Sequence, residues 1–277
     1  MHNRSAIFYR RLWHLTSTII NRATICSSNK LLNYRPNKIA LVHARAIFFL
    51  YIPVYKPALY TKMLTIVSVE GNIGSGKSTL LGRLADHYKG PVNIVFLKEP
   101  VDEWAKIKDV DGTTILEKFY EDPDKYAFSF QIMAYMSRLK VMRDTINRWA
   151  GTDTVILTER CLYTDKLVFT KMLYDTGKID HINYQIYMKY FEAFMHVAPI
   201  NKIVYLKTVP EICHGRIAQR ARPGEAVISQ EYLTSCHEYQ ENMLLCGDIC
   251  DDQLFIDGNT DISAETMDVI CAFISGA

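Results

Sequence analysis

The chain has 277 residues, 49% apolar and 22% charged, with a formal net charge of +2, a composition that permits one sizeable buried core and excludes collagen-like or intrinsically disordered chains. The charge is uneven: residues 1–62 hold ten Lys or Arg and no Asp or Glu, leaving 22 bases against 30 acids in the other 215 residues. That mildly acidic body gives no electrostatic reason to expect nucleic acid as a partner.

Residues 1–62 form a basic extension that reads in two ways. The stretch MHNRSAIFYRRLWHLTSTIINRATICSSNK is Arg-rich, contains Ser and Thr and lacks acids, as mitochondrial transit peptides do. Alternatively Met63, which opens the first core strand, is the working start and the preceding stretch is not part of the folded unit. The first reading implies a mitochondrial matrix location, the second a cytoplasmic one. The apolar run IALVHARAIFFLYIPVYKPALY is broken by His43, Arg45, Pro53, Lys56 and Pro57, short of the ~18 clean apolar residues of a membrane span. No membrane partner is expected.

From residue 63 to 277 the pattern is one domain of alternating strands and helices. Strands are predicted at Leu64 to Val69, Asn93 to Leu97, Thr154 to Thr158, Lys202 to Leu206 and Leu254 to Ile256, nearly all apolar, as strands covered on both faces are. Helices are predicted at Ser78 to Tyr88, Phe128 to Trp149, Asn183 to Val197 and Pro210 to Gln219. The fold class is therefore α/β, a five-stranded parallel sheet with helices on both faces in three layers. Seven cysteines without a CxxC pair and eight histidines without ligand spacing give neither a zinc signature nor a disulfide framework.

In such sheets ligands bind beyond the carboxyl ends of the strands. The segments there are Gly71 to Ser78, Lys98 with Glu99, Glu159 with Arg160, the basic run Arg216 to Arg222 one helix after the fourth strand, and Asp257. The first is specific: Gly71, Gly76, Lys77 and Ser78 satisfy GxxxxGK[ST] between a strand and a helix. Glycines let backbone N–H groups surround phosphate oxygens, Lys77 reaches the β- and γ-phosphates, and the Ser78 hydroxyl ligates Mg²⁺. Bound ATP or GTP with Mg²⁺ follows, on a loop running Gly71, Asn72, Ile73, Gly74, Ser75, Gly76, Lys77, Ser78 and Thr79. A switch or motor NTPase would hand the phosphoryl group to water, and a kinase would hand it to a small acceptor. The kinase needs a carboxylate to take a proton from a weakly acidic hydroxyl, and Glu99 stands where one is required.

The segments GNIGSGKST, KEPVDEW, FYEDPDKYAFSFQ, SRLK, TERCLYTD and RIAQRAR, in this order, resemble the deoxynucleoside kinases of the deoxycytidine, deoxyguanosine and mitochondrial thymidine kinase group, including insect and viral members. The resemblance runs through nearly all of residues 63–277 and implies a P-loop kinase fold, phosphorylation of a deoxynucleoside 5'-hydroxyl by ATP with Mg²⁺, and a homodimer formed through the helical layer that holds NYQIYMKYFEAFMHV. It implies Glu99 as general base, Arg160 beside it, and Glu159 joining Ser78 around Mg²⁺. Ile73, Val101, Trp104, Leu116, Phe119, Phe130 and Phe169 match nucleoside-pocket walls, Tyr120 and Glu225 the pair that binds the sugar 3'-hydroxyl, and Gln131 the amide on the base edge. Arg216, Arg220 and Arg222 match an arginine-rich lid over the ATP phosphates, and Asp257 is placed among the ATP contacts. The lid departs from the family pattern, with Pro223 and Gly224 before a single acid, Glu225. Arg138 and Asp165 match positions that accept deoxycytidine or purine deoxynucleosides rather than thymidine. The alternative within kinases is a thymidylate-type nucleotide kinase, whose acceptor is an ionised phosphate.

Overall fold

The computed structural model describes residues 64–246 and 249–276; the two readings of residues 1–62, and of Met63 as a start, lie outside the described residues. Strands β1 (Thr65–Glu70), β2 (Asn93–Leu97), β3 (Thr154–Glu159), β4 (Lys202–Lys207) and β5 (Gln253–Asp257) form one parallel sheet in the order β2-β3-β1-β4-β5. All five predicted strands are present, within a residue or two of their expected ends.

Alternation along β1 explains the two covered faces. Ile66 joins Ile156, Ile203 and Tyr205 in a core completed by Tyr135, Leu139, Tyr187 and Phe191. Its neighbours Val67 and Val69 point the other way, to Leu80, Leu81 and Leu84 of helix α1 (Lys77–His87) and to Met267, Ile270 and Ile274 of a C-terminal helix, Ala264–Ser275. Burying each such side chain contributes about 1.5–3 kcal/mol. Among the described residues no helix is long and apolar enough to cross a membrane.

Two further helices lie between β2 and β3. Helix α2 (Ile115–Glu121) starts with a capping box in which Thr114 and Glu117 satisfy each other's backbone N–H groups. Helix α3 (Pro123–Trp149) follows at once, capped by Asp122 and opened by Pro123. It begins five residues before the predicted Phe128, because the cap and the proline, not the apolar periodicity, set its start.

After β3 the chain forms a helical turn, Leu162–Thr164, a π-helical segment, Asp165–Thr170, and an α-helical one, Lys171–Asp175. Helix α4 (His181–Phe194) ends three residues short of the expected Val197, the last three forming a 3₁₀ turn. Helix α5 (Pro210–Arg220) stops at Ala221, which is left-handed, and helix α6 (Gln230–Cys246) packs against α5 and the π-helical segment.

Candidate active site

The strand order makes the site. Because β3 lies beside β1 with Val69 opposite Glu159, the phosphate loop after β1 emerges beside Glu159, the last residue of β3, and Arg160, the first after it. Next to them β2 ends with Leu97 opposite Thr158, which sets Glu99 two residues further into the same crevice. This is the crevice beyond the carboxyl ends where α/β sheets bind ligands.

The loop wraps the first turn of α1, whose N-terminus carries no acidic residue and so leaves its amides and its positive dipole end to an anion. Gly74 needs to be glycine: its φ is 78°, and a Cβ there would lie 2.5 Å from the Cys213 carbonyl oxygen. The Lys77 ammonium donates to the Asn72 carbonyl at 2.7 Å and lies 4.0 Å from Glu159. Burial pushes it down to about 8, Arg160 adding to the effect and Glu159 opposing it. Ser78 donates to both Glu159 oxygens, at 2.9 and 3.0 Å. This pair of hard oxygen donors beside the loop fits Mg²⁺, which keeps several of its own waters and takes few protein ligands.

Glu99 is gripped by two cations, Arg138 at 2.8 Å and Arg160 at 3.5 Å. Burial alone would push its carboxyl up, but Arg138, Arg160 and Lys77 together hold it down at about 2. Arg160 adopts the left-handed region, φ 63°, which costs a non-glycine residue of order 1–3 kcal/mol. Three contacts offset that: its N–H extends the ladder to the Val69 carbonyl, its guanidinium donates to the Gly71 carbonyl, and it lies over the Phe169 ring at 4.9 Å.

Behind Glu99 a cavity of about 310 Å³ is walled by Ile73, Val101, Trp104, Leu116, Phe119, Phe130 and Phe169. Phe119 and Phe130 stack at 4.6 Å and Trp104 meets Phe130 edge-on at 5.5 Å, a flat apolar slot suited to a planar base. Gln131, a buried residue whose amide carries both donors and an acceptor, also lines it. Arg138 and Asp165 line it too, 2.9 Å apart and almost fully buried. At the mouth Tyr120 faces Glu225, which is held by Arg220 and Arg222. Burial, and the Glu225 charge, push the Tyr120 phenol far above its ordinary range.

The expected residues do not all meet here. Arg216 is outside the cavity lining, donating to the Ser75 carbonyl at 2.9 Å. Asn72 turns away to the Leu233 carbonyl, and the Ser75 hydroxyl is buried with no partner among the described residues. Thr79 is exposed beside Ser78 on the first turn of α1. Asp257 is outside the cavity lining and accepts from the Asn259 N–H. Lys98, Asp102, Ala134 and Tyr232 line the cavity without having been assigned a role. Ala134 was within reach of the sequence, since Phe130, Ala134 and Arg138 recur every four residues on one face of α3. Tyr232 was not, because it sits on α6, which sequence reasoning missed.

A family model for deoxynucleoside kinases matches residues 67–271. The chain belongs to the deoxynucleoside kinase family. Over 181 residues it is 37% identical to the probable deoxycytidine kinase of Fowlpox virus (strain NVSL), covering 64% of this chain and 71% of that one. Over 187 residues it is 31% identical to the mitochondrial thymidine kinase 2 of Macaca fascicularis, covering 67% and 66%. It is 28% identical to the mitochondrial deoxyguanosine kinase of Xenopus laevis over 194 residues, covering 64% and 72%. The kinase uses ATP to phosphorylate a deoxynucleoside, and since the names of these relatives carry three different bases, its own base has to be sought in its pocket.

Proposed function

We propose that this kinase phosphorylates deoxycytidine or a purine deoxynucleoside in preference to thymidine. One observation carries the reading: a buried ion pair, Arg138 with Asp165 at 2.9 Å, lines the cavity, and the same guanidinium binds Glu99 at 2.8 Å. Cytosine offers an N4 amino donor where thymine offers an O4 acceptor and a C5 methyl group. Asp165, held by Arg138, accepts from the amino group and opposes the O4 lone pairs, while Gln131 pairs with the remaining base edge. A mismatch between buried polar groups is worth roughly 10²-fold or more in kcat/KM.

In the proposed chemistry Glu99 takes the proton from the 5'-hydroxyl as that oxygen bonds to the γ-phosphorus, the bond to the β-γ bridging oxygen breaks, and ADP leaves. Arg160 steadies the hydroxyl and the charge in transit. Lys77 leaves the Asn72 carbonyl for the phosphates, with Arg216, Arg220 and Arg222 as the lid and Asp257 near the outer end of the donor site. Triphosphate oxygens drawn to Lys77 and Arg160 offset two of the cations that hold Glu99 low, so its basicity rises once the donor is in place. Ser78 and Glu159 would hold Mg²⁺, which when bound supplies positive charge to the β- and γ-phosphates. Tyr120 and Glu225 take the sugar 3'-hydroxyl.

A second copy of this chain completes the assembly we propose. Ile182, Ile186, Tyr190 and Phe194 recur every four residues on α4 and are exposed, while Tyr187 and Phe191 of the same helix are buried. Such a stripe beside the exposed Met136 of α3 suits a homodimer interface. The kinase then acts in the cytoplasm, or in the mitochondrial matrix if residues 1–62 are a leader.

The test is a panel of the four deoxynucleosides and thymidylate with ATP and Mg²⁺, products identified by mass. Deoxycytidine or a purine deoxynucleoside is expected to lead. Thymidine at parity would refute the base assignment, and thymidylate as the best acceptor would point to the nucleotide kinase instead.

A further inference from the structure

The acid that faces the sugar is the same acid that holds the lid. The Glu225 carboxylate is buried, and its two oxygens are taken by different arginines: Oε2 by Arg220, and Oε1 by Arg222 at 3.1 Å. These arginines flank Ala221, whose left-handed backbone, φ 48°, ends helix α5 and turns the chain back. Each donates one N–H to the carboxylate, and a guanidinium has five, so both keep donors for phosphate oxygens. Without the carboxylate the two like charges would repel and spread, so Glu225 fixes where the lid presents its cations.

The turn that carries Glu225 is seated on the nucleoside side of the cleft. Gly224 has φ 81°, and a Cβ there would lie 2.8 Å from Glu117 Cγ and 3.2 Å from its Cα. Glu117 belongs to α2, and Tyr120 is three residues further along the same helix, one turn on. The helix that supplies the phenol beside Glu225 also supplies the surface on which the Glu225 turn rests. Pro223 and Gly224 replace side chains with a tight, close-packed turn, so one carboxylate serves both arginines.

We propose that Glu225 is a positioning residue for Arg220 and Arg222, and that a sugar 3'-hydroxyl bound to it pre-organises the lid, so that a nucleoside bearing this hydroxyl tightens the binding of the triphosphate donor. The inference rests on Glu225 and Tyr120 facing the sugar, as proposed above. The coupling is between binding free energies and is therefore reciprocal: the donor tightens the nucleoside by the same factor.

The experiment is calorimetric titration of the full chain with the β,γ-imido analogue of ATP and Mg²⁺, alone and with saturating deoxycytidine or saturating 2',3'-dideoxycytidine. Deoxycytidine is expected to lower the Kd of the analogue by about fivefold or more, the low end of common couplings, and dideoxycytidine to leave it nearly unchanged. Glu225→Gln should bring the deoxycytidine effect close to unity. Gly224→Ala, which removes no charge but lifts the turn from Glu117, should reduce it as well. Equal tightening by both nucleosides, or full tightening in Glu225→Gln, overturns the proposal. Turnover of deoxycytidine by the same preparation separates the two levels: turnover with unaltered coupling sinks only the role of Glu225, while absence of both nucleoside binding and turnover sinks the pocket assignment beneath it.

Discussion

Replacing Arg138 by Met and Asp165 by Ala should have unequal costs, and the inequality follows from what each side chain leaves behind. Arg138 binds Asp165 at 2.9 and 3.3 Å, the Glu159 carbonyl at 2.8 Å and Glu99 at 2.8 Å. Arg138→Met strips Asp165, 2% exposed, of its cation, and breaking a buried pair in this way costs about 3–5 kcal/mol. Asp165→Ala leaves the guanidinium with Glu99 and the Glu159 carbonyl, so the loss is closer to about 1–3 kcal/mol. With an m-value of about 2 kcal/mol/M, the urea midpoint falls by roughly 1.5–2.5 M for the first and roughly 0.5–1.5 M for the second. The double variant should be more stable than Arg138→Met, since no unpaired carboxylate remains at 165. The pH dependence has a definite sign. Burial pushes the Asp165 carboxyl up, against the pull of Arg138. Once the arginine is gone, the folded state holds the proton more tightly than the unfolded one. The Arg138→Met deficit is then largest above the folded-state pKa of Asp165 and shrinks as pH falls through it. Urea unfolding of the three variants at several pH values reads all of this. An Asp165→Ala loss equal to or above that of Arg138→Met, or a strictly additive double variant, would refute the reasoning.

Glu99→Gln should leave nucleoside binding nearly intact and lower kcat by about 10²- to 10⁴-fold in steady-state turnover; since the carboxyl of the free protein is held at about 2, kcat/KM of the unmutated kinase, which reports the free enzyme, should show no acid limb from this group above roughly pH 4. The Lys77 ammonium, pushed down to about 8, should give kcat/KM for ATP a basic limb near that pH, and Lys77→Ala should abolish turnover; normal activity in that variant would contradict the loop assignment. Ile182→Asp, on the exposed stripe of α4, should convert a dimer to a monomer in sedimentation velocity, whereas an unchanged sedimentation coefficient would remove this face from the interface.

The sheet was legible because its strands are nearly continuous apolar runs, and the phosphate loop because its spacing is rigidly prescribed. Glu99, Glu159 and Arg160 could be placed from their positions just past strand ends, and the structure brings them around one crevice. Helix α6 was not visible: its inward positions include Cys236 and Gln240 as well as Leu233, Met243 and Leu244, so the apolar stripe is diluted by polar residues and by weak helix formers. The π-helical segment Asp165–Thr170 was also invisible, although it carries Asp165 to Arg138 and Phe169 beneath Arg160. Such a widened turn is set by packing against neighbours rather than by local sequence. Arg138 could be paired with Asp165 by resemblance, but its second bond, to Glu99, joins residues 39 positions apart and required the fold.

The central claim, that Arg138 and Asp165 read the base, is tested most directly by the ratio of kcat/KM for deoxycytidine to that for thymidine, measured in the unmutated kinase and in the Arg138→Met, Asp165→Ala double variant. The account predicts a ratio of roughly 10² or more that falls sharply, with thymidine turnover rising in absolute terms, when both side chains are replaced. A ratio near one in the unmutated kinase, or a ratio that survives the double replacement, would contradict it.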